Sequence, residues 1–483
     1  MNLLLLSNSA PNYFHFFNAL AQCFAKAGAT VAVAVDSTFS RKENGLDALG
    51  FDVYDFSTYY ATHQIDRTIL EKYSDFDLNG ALLSDFERAE LYDIWGKHVD
   101  IDFYDRLKSA LLTYFEEIFV EHKIDVVLYE NVSNAFAHFA LYVAQKNKAL
   151  YCGIGGSRLP GRFTITCDPL ADDETAKAFS AIRTGKLDVP ADVRQRAAEY
   201  IAKIETVVPD YMKINGLDRV GLLKRYLRRD RLGKLKSLVR HAFDSRAGAF
   251  QMGNPLRTHF NLFVRNVRRR LKIGQVQRLY QQPVNGERFL LYPMHFHPES
   301  STSIVAGSYL DEYEVIRNIA FSLPEGVRLY VKDHISAWGY PSLDFYRRIK
   351  RLPNVRLLDP NAPTKQLIKA SEGVITLTST VGYEALLLNT RVYLYGRVFY
   401  EFHKGVIHVD NPAKLRNLLL AGMAQPVDWD DDYNNDFVCA YYQSTLPGSL
   451  NLLQGPREAA LTAQQVYVEI IHSGYLEAAG GTC

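Results

Sequence analysis

The clearest chemistry in this sequence lies where a short apolar run meets hydroxyl side chains, a glycine and an acid. Residues 374–377 predict a buried parallel strand, and Ser379, Thr380 and Gly382 follow at the predicted start of a helix. Unpaired N–H groups and the positive end of a helix dipole suit a phosphate there, although Ser and Thr also form ordinary helix caps. An acid in the first turn can accept hydrogen bonds from a ribose, so Glu384 is the candidate ribose ligand. The pattern predicts a nucleotide site.

A second group of candidate residues follows two further predicted strands. His295, His297 and Glu299 lie within five residues after one strand, and Lys332 and His334 follow the next. Alternating histidines on an extended segment place both rings on one side, which would suit a metal pair, but no third ligand stands at motif spacing. We therefore predict no metal. Either Lys332 or His334 could face a phosphate, and a hydrogen-bonded loop histidine is the alternative.

Two series of alternating strands and helices position these residues. Residues 1–172 form the first series and residues 284–425 the second. Such alternation predicts two Rossmann-like α/β domains, each with a parallel sheet covered by helices. Residues 426–483 are a tail whose last helix returns toward the N-terminal domain. This is the GT-B-like plan of two domains facing across a cleft, in which the C-terminal domain holds most of a nucleotide sugar at its strand ends.

Between the two series, residues 173–283 predict a basic, mainly helical insertion. Its charge is concentrated in residues 213–272, where the basic residues include Arg225, Arg228, Arg229, Arg231, Lys234, Lys236, Arg240, Arg265, Arg268, Arg269, Arg270 and Lys272. Solvated helices are one interpretation, and a cationic surface for anionic membrane lipid or an anionic glycan is the other. No nucleic-acid motif accompanies the charge, so nucleic acid is not a predicted partner.

Composition and cysteine spacing predict a soluble, cytoplasmic protein. The hydrophobic fraction is 47%, the charged fraction is 23%, and the formal net charge is +1. The five cysteines show no CxxC and no paired spacing, which argues against a disulfide framework or structural zinc. The N-terminus has no basic region or cleavage site, and no apolar run approaches the ~20 residues of a membrane span.

Four stretches share the pattern of one known family. They are Tyr-Pro-Met-His-Phe-His-Pro-Glu at 292–299, Val-Lys-Asp-His at 331–334 with Asp-Pro at 359–360, Thr-Leu-Thr-Ser-Thr-Val-Gly-Tyr-Glu-Ala at 376–385 with Tyr-Gly-Arg-Val-Phe-Tyr at 395–400, and Ser-Arg-Leu-Pro-Gly-Arg-Phe-Thr at 157–164. They resemble the capsule polysaccharide biosynthesis family, GT-B-like proteins that include bacterial Kdo transferases of capsule assembly. The chain departs from that family's Lys-x-His-Pro pattern, because Ile335 follows His334 and the missing proline relaxes the loop.

The resemblance implies a glycosyltransferase that moves a sugar from a nucleotide sugar to a surface-polysaccharide or lipid-linked glycan. CMP-Kdo is the leading donor, and UDP- and GDP-sugars stay open. Transfer requires a stabilised leaving phosphate, a positioned acceptor hydroxyl and exclusion of water. The candidate donor ligands are His297, Lys332, His334, Ser379, Thr380, Gly382 and Glu384, and the catalytic candidates are Glu130, His295 and Glu299.

The N-terminal domain is expected to supply the acceptor side. Asn8 and His15 stand at the first strand–helix junction, and Arg158 and Arg162 lie in a loop after a later strand. Glu130 ends a predicted strand and could act as base or nucleophile, with a structural carboxylate as the equal alternative. The sequence leaves inverting and retaining chemistry both open.

Two other functions remain open, and each makes a distinct prediction. A UDP-sugar 2-epimerase-like enzyme would convert UDP-GlcNAc with no acceptor present. A non-catalytic, glycan-binding member of an assembly complex would retain polyanion or membrane binding without binding nucleotides. For the transferase we expect no cofactor or metal, and a location in the cytoplasm or on the inner face of the bacterial membrane.

Overall fold

In the computed structural model the chain forms two compact units. The structure describes residues 1–92, 94–95, 100–207, 237–243 and 253–476. Unit 1 comprises Met1–Pro169, Pro209–Phe263 and Thr445–Cys483, and unit 2 comprises Leu170–Val208 and Val264–Ser444. Part of the predicted insertion at 173–283, including Arg228 and Arg229 of its basic stretch 213–272, therefore lies outside the described residues.

Unit 1 contains a seven-stranded sheet with a Rossmann-like order. Its strands are β1 (Asn2–Ser7), β2 (Thr30–Val35), β3 (Asp52–Asp55), β4 (Val126–Glu130), β5 (Leu150–Gly156), β6 (Arg162–Thr166) and β13 (Thr445–Pro447). They follow one another across the sheet as β13-β6-β5-β4-β1-β2-β3. The pairs from β5 to β3 are parallel, whereas β6 pairs antiparallel with both β5 and β13. Central β1 carries four fully buried leucines, as expected for a strand covered on both faces.

Helices cover this sheet and also form the segment between β3 and α7. They are α1 (Tyr13–Lys26), α2 (Thr38–Glu43), α3 (Phe56–Thr62), α4 (Arg67–Lys72), α5 (Leu78–Leu83), α6 (Phe86–Tyr92), α7 (Ile101–His122) and α8 (Ala135–Lys146). Near the end of the chain, α19 (Pro456–His472) packs on α1, where the Phe24 and Tyr467 rings meet edge to face at 4.9 Å. Between β3 and α7, the described residues carry the short helices α3 to α6.

Unit 2 contains a six-stranded sheet in which every pairing is parallel. Its strands are β7 (Phe289–Pro293), β8 (Arg328–Lys332), β9 (Val355–Leu358), β10 (Val374–Thr376), β11 (Val392–Leu394) and β12 (Val406–His408). The order β12-β11-β10-β7-β8-β9 places the first strand of the unit in the middle, with later strands added on both sides. This is the doubly wound Rossmann order. The prediction of two Rossmann-like α/β units is confirmed.

Helices of unit 2 come from both of its chain segments. They are α9 (Glu174–Arg183), α10 (Ala191–Ala202), α11 (Pro255–Gln277), α12 (Ser300–Ser303), α13 (Glu312–Ser322), α14 (Leu343–Lys350), α15 (Thr364–Ala370), α16 (Thr380–Leu387), α17 (Leu415–Ala424) and α18 (Asp431–Gln443). Helix α11 begins in unit 1 and continues into unit 2. Arg183 and Arg194 both pair with the Asp436 carboxylate and tie α9 and α10 to α18.

The structure bears on two expectations from the sequence, one about the cysteines and one about membrane-spanning helices. Cys23, Cys152 and Cys439 are free thiols, whereas Cys167 is disulfide-bonded, a pairing that the cysteine spacing does not predict. Among the described residues, no helix has both the length and the apolar composition needed to cross a membrane.

Candidate functional site

The carboxyl ends of β7 and β10 lie side by side at the centre of the unit 2 sheet. The order of the strands reverses between these two, so their following loops form the topological switch point, where open α/β sheets bind ligands. His295 and His297 follow β7, and Ser379 and Thr380 follow β10. Two motifs that stand about 80 residues apart in the sequence therefore meet at one place.

His295 joins the two loops of the switch point. Its ring is buried, and its Nε2 lies 3.5 Å from the backbone N of Thr378 and 3.3 Å from the hydroxyl of Thr376. A backbone N–H can only donate, so Nε2 acts as the acceptor and the ring proton belongs on Nδ1. That nitrogen lies 3.5 Å from a carboxylate oxygen of Glu312. His295 thus fixes the β10 loop relative to the β7 loop.

Glu312 is a buried carboxylate that sequence reasoning missed. It is the first residue of α13, and its Oε2 lies 2.8 Å from Nε2 of His297, while the backbone N–H of His295 donates to Oε1 at 3.2 Å. Burial by itself raises the pKa of the Glu312 carboxyl, but the two histidines outweigh burial and lower that pKa to about 2. In the sequence, Asp311-Glu312 resembles an ordinary acidic helix start, so no spacing signal connects it to the histidines.

The end of β8 and the loop after it add three titratable groups to this edge. Lys332 donates to the carbonyl of Pro360 at 2.8 Å, and burial lowers its pKa. Asp333 accepts from the Tyr280 hydroxyl at 2.5 Å, and burial raises its pKa to about 6. Burial is the main cause that lowers the pKa of His334 to about 4, so this ring is neutral at pH 7.

The start of α16 combines a helix cap with close packing. Ser379 is the N-cap, and its hydroxyl accepts from the backbone N–H of Val381 at 3.2 Å. Its carbonyl accepts from the Tyr400 hydroxyl at 2.6 Å. A Cβ on Gly382 would stand 2.4 Å from that same hydroxyl oxygen. The glycine therefore admits the Tyr400 ring against the helix, which is a packing role, and Thr380 lies beside it, half-buried.

Glu384 differs from its expected position, and Glu299 lies after β7 as expected. Helix α16 begins at Thr380 and has no acid in its first turn, so the placement of Glu384 in that turn is wrong. Glu384 lies just beyond it, and its carboxylate is 3.6 Å from Nζ of Lys365. Glu299 is exposed and is the N-cap residue of the short α12, where its carbonyl accepts the N–H groups of Thr302 and Ser303.

In unit 1, the order of the strands reverses between β1 and β4, and Asn8 and Glu130 stand at that point. The side chain of Asn8 accepts from the N–H of Ala10 at 2.9 Å. The Ser133 hydroxyl donates to the Glu130 carboxylate at 2.6 Å. Burial raises the pKa of Glu130 to about 7, although the hydrogen bond from Ser133 and the charge of Arg88 oppose it. A carboxyl with such a pKa suits proton transfer near neutral pH.

The other acceptor-side candidates have separate surroundings. His15 lies in α1 against the Phe14 ring, and burial lowers its pKa. Arg162 donates to the Thr445 hydroxyl at 3.0 Å and to the Thr445 carbonyl, so its guanidinium holds the β6–β13 pair together. Arg158 is half-buried in the loop before β6.

Two Rossmann-like units with these strand orders define the GT-B-like fold class. Residues 264–423 match the family model described as capsule polysaccharide biosynthesis protein. The resemblance seen in the sequence is thereby confirmed over this third of the chain. The matched segment contains the whole unit 2 sheet and the switch point between β7 and β10.

Solved structures with similar folds include two from Thermosulfurimonas dismutans KpsC. Its beta Kdo 2,7 transferase is 10% identical at a TM-score of 0.34, with 74% of this chain and 89% of that chain covered. Its beta Kdo 2,4 transferase is 14% identical at a TM-score of 0.40, with 72% of this chain and 93% of that chain covered. UDP-GlcNAc 2-epimerase from Methanocaldococcus jannaschii is 11% identical at a TM-score of 0.26, with 98% of this chain and 100% of that chain covered. No curated protein matches the sequence.

Proposed function

We propose that the protein is a glycosyltransferase that moves a sugar from a nucleotide sugar to a surface-polysaccharide or lipid-linked glycan. The observation that carries this proposal is the meeting of the β7 and β10 loops at the switch point of unit 2. Histidines, hydroxyl groups and a helix start stand together there, and each of these suits a phosphate. The family match of the same segment supports a role in capsule polysaccharide biosynthesis.

In the proposed reaction, an acceptor hydroxyl attacks the anomeric carbon and the bond from that carbon to the nucleotide phosphate breaks. The phosphate leaves with the bonding electrons, and the hydroxyl proton passes to a base. His297, Lys332 and the N–H groups at the start of α16 are the proposed partners of the phosphate. Glu130, whose carboxyl pKa is about 7, is the proposed proton acceptor of unit 1. His295 acts by holding the two unit 2 loops together.

We infer CMP-Kdo as the donor from the sequence resemblance, with no metal or other cofactor. Glu384 is proposed as a ribose ligand beside Lys365. We also propose a cytoplasmic location, with the enzyme bound peripherally to the inner face of the bacterial membrane. There it would meet a lipid-linked acceptor, and the exposed arginines of α11 would contact anionic lipid.

A thermal-shift panel of CMP, CDP, UDP, GDP and ADP, with and without EDTA, tests the donor site. We expect only nucleotides that carry one of the four bases to raise the melting temperature, unchanged by EDTA, because only one base should fit. A flat panel across all five would contradict the proposal and favour the non-catalytic alternative. Stabilisation by UDP with conversion of UDP-GlcNAc in the absence of acceptor would instead favour an epimerase.

Glu384→Gln tests the ribose role directly. We expect it to weaken binding of the stabilising nucleotide by about 1–3 kcal/mol, the cost of losing hydrogen bonds to a charged acceptor. Glu372→Gln is the matched control in the same unit, because that exposed carboxylate pairs with Arg288 before β10 begins. Calorimetric titration gives both affinities. An unchanged affinity in Glu384→Gln would remove Glu384 from the site.

A further inference from the structure

The side chain of Glu312 occupies a buried position near the switch point of unit 2. Only 7% of it is exposed, and it lies between His295, which is 5% exposed, and His297, which is 20% exposed. An isolated buried carboxylate is strongly destabilising, so this one must be balanced by hydrogen bonds or positive charge. Both are present, since the two histidines flank it and it occupies the positive end of α13.

The two histidines around Glu312 differ in their ring contacts and in their exposure. Nε2 of His295 lies 3.5 Å from the backbone N of Thr378, whereas its Nδ1, 3.5 Å from Glu312, makes no hydrogen bond among the described residues. Nε2 of His297 lies 2.8 Å from Glu312, and the side chain of His297 is more exposed than that of His295. Of the two histidines, His297 is therefore the more accessible to a ligand at this edge.

Glu312 also sets the electrostatic environment of His297. The titratable groups that act on His334 at this edge include His295, His297, Glu312 and Lys332. Burial is the main cause that lowers the pKa of His334 to about 4, so that ring is neutral at pH 7. The carboxylate of Glu312 lies 2.8 Å from Nε2 of His297, and an adjacent anion favours an imidazolium.

We propose that Glu312 is a positioning residue that orients the His297 ring and keeps it in the imidazolium form. His297 can then donate a charge-assisted hydrogen bond to a phosphate oxygen of the leaving nucleotide. This inference rests on the proposed glycosyltransferase function. Glu312 itself touches the histidines, and a carboxylate that fixes a histidine in this way changes the reaction through the ring it holds.

Glu312→Gln tests the inference because it keeps the size of the side chain and removes the charge. Glu314→Gln, two residues later in the same helix, is the matched control, since Glu314 is more exposed and pairs with Arg317. We expect Glu312→Gln to lower kcat about 10- to 100-fold with a smaller change in KM, as for other residues that orient a histidine. The control should match the wild type in both constants.

Ring 15N spectra of His297 provide a readout that needs no activity. His297→Gln identifies its signals by their loss, and a pH titration follows its protonation. In Glu312→Gln we expect the midpoint of the His297 titration to move to lower pH and the Nε2–H signal to shift toward that of a weaker hydrogen bond, because a neutral amide oxygen is a poorer acceptor than a carboxylate. A purely structural role would lower the melting temperature and leave the titration midpoint unchanged, which would overturn the inference.

A conservative variant covers the case in which Glu312→Gln does not fold. Glu312→Asp retains the charge and withdraws the carboxylate by one methylene, so we expect it to retain the titration midpoint of His297 and to lower kcat. Wild-type kcat together with an unchanged Nε2–H signal would overturn the inference. Failure of the wild-type protein to bind any nucleotide would contradict the proposed function instead, and the His297 spectra would still decide whether Glu312 positions the ring.

Discussion

At the scale of single residues, Gly382 shows how one residue type can serve two interpretations. The sequence suggests close approach of a phosphate to the start of α16. In the structure, the space that a side chain would occupy is filled by Tyr400, whose hydroxyl oxygen would lie 2.4 Å from an added Cβ. The same hydroxyl donates to the Ser379 carbonyl at 2.6 Å. The glycine is thus required by packing within the unit, whether or not a phosphate binds.

Gly382→Ala should therefore destabilise the protein by about 1–3 kcal/mol, the usual cost of inserting a methyl group into a well-packed place. Tyr400→Phe in the Gly382→Ala background should recover part of the loss, because the nearest clashing atom is removed and the two changes are not additive. Gly307→Ala is the control, since nothing lies within 4 Å of its added Cβ. Chemical denaturation measures all of these variants. Equal stability of Gly382→Ala and wild type would contradict the packing role.

Asp36 is a second residue whose surroundings determine its chemistry. It follows β2, is fully buried, and accepts from the Ser37 hydroxyl at 3.2 Å, while its Oδ2 has no hydrogen-bond partner among the described residues. Burial raises its pKa from 3.8 to about 7, despite hydrogen bonds from Ser40 and Ser37. Glu130 in the same unit is shifted in the same direction.

A carboxyl whose pKa is raised in the folded state binds its proton more tightly there than in the unfolded state. Its contribution to stability is complete below pH 4 and is lost as pH rises to about 7. Asp36→Asn should therefore flatten the fall in the free energy of unfolding between these values. At pH 8 it should be more stable than wild type by about 2–4 kcal/mol. Exposed Asp47, paired with Arg41, supplies the control Asp47→Asn. If the free energy of unfolding changed with pH in the same way in Asp36→Asn and in wild type, the raised pKa of Asp36 would be contradicted.

At the scale of elements, α11 separates basic residues that pack from basic residues that face solvent. Arg269 donates to the Trp338 carbonyl at 2.5 Å, and its guanidinium lies 4.4 Å from the centre of the Tyr340 ring. Lys272 donates to the Pro341 carbonyl at 2.6 Å. Arg268, the neighbour of Arg269, is exposed. A charge run that looks uniform in the sequence is divided by the helical period into a structural face and a solvent face.

Arg269→Gln should destabilise unit 2 by about 1–3 kcal/mol, because it removes a charged hydrogen bond and a cation–π contact. Arg268→Gln should stay within about 0.5 kcal/mol of wild type, as for most exposed substitutions. Binding to anionic vesicles should show the reverse order, with Arg268→Gln weakened more at low salt. Denaturation and vesicle sedimentation measure the two properties. Equal stability of both variants would mean that Arg269 does not hold α11 in place.

At the scale of the whole molecule, the sequence predicts the class of fold well and the site only in part. Alternating apolar runs and amphipathic segments fix the two Rossmann-like units, because strands buried on both faces require continuous apolar residues. The meeting of residues around His295 and Ser379 follows from the doubly wound order once the sheet is known. Glu312 could not be found, because its contact with two histidines depends on how α13 packs beside β7. The contact between Tyr400 and Gly382 could not be predicted from the sequence for the same reason.

The path of the chain has a consequence for its synthesis. Residues from Thr445 onward belong to unit 1, where β13 pairs with β6 and α19 packs on α1. Because a ribosome synthesises residues in order, all segments of unit 2 are made before the segment of unit 1 that begins at Thr445. The unit that begins first is completed last. Until its final strand and helix emerge, the nascent chain presents the unpaired edge of β6 and the apolar side of α1, both natural targets for a chaperone.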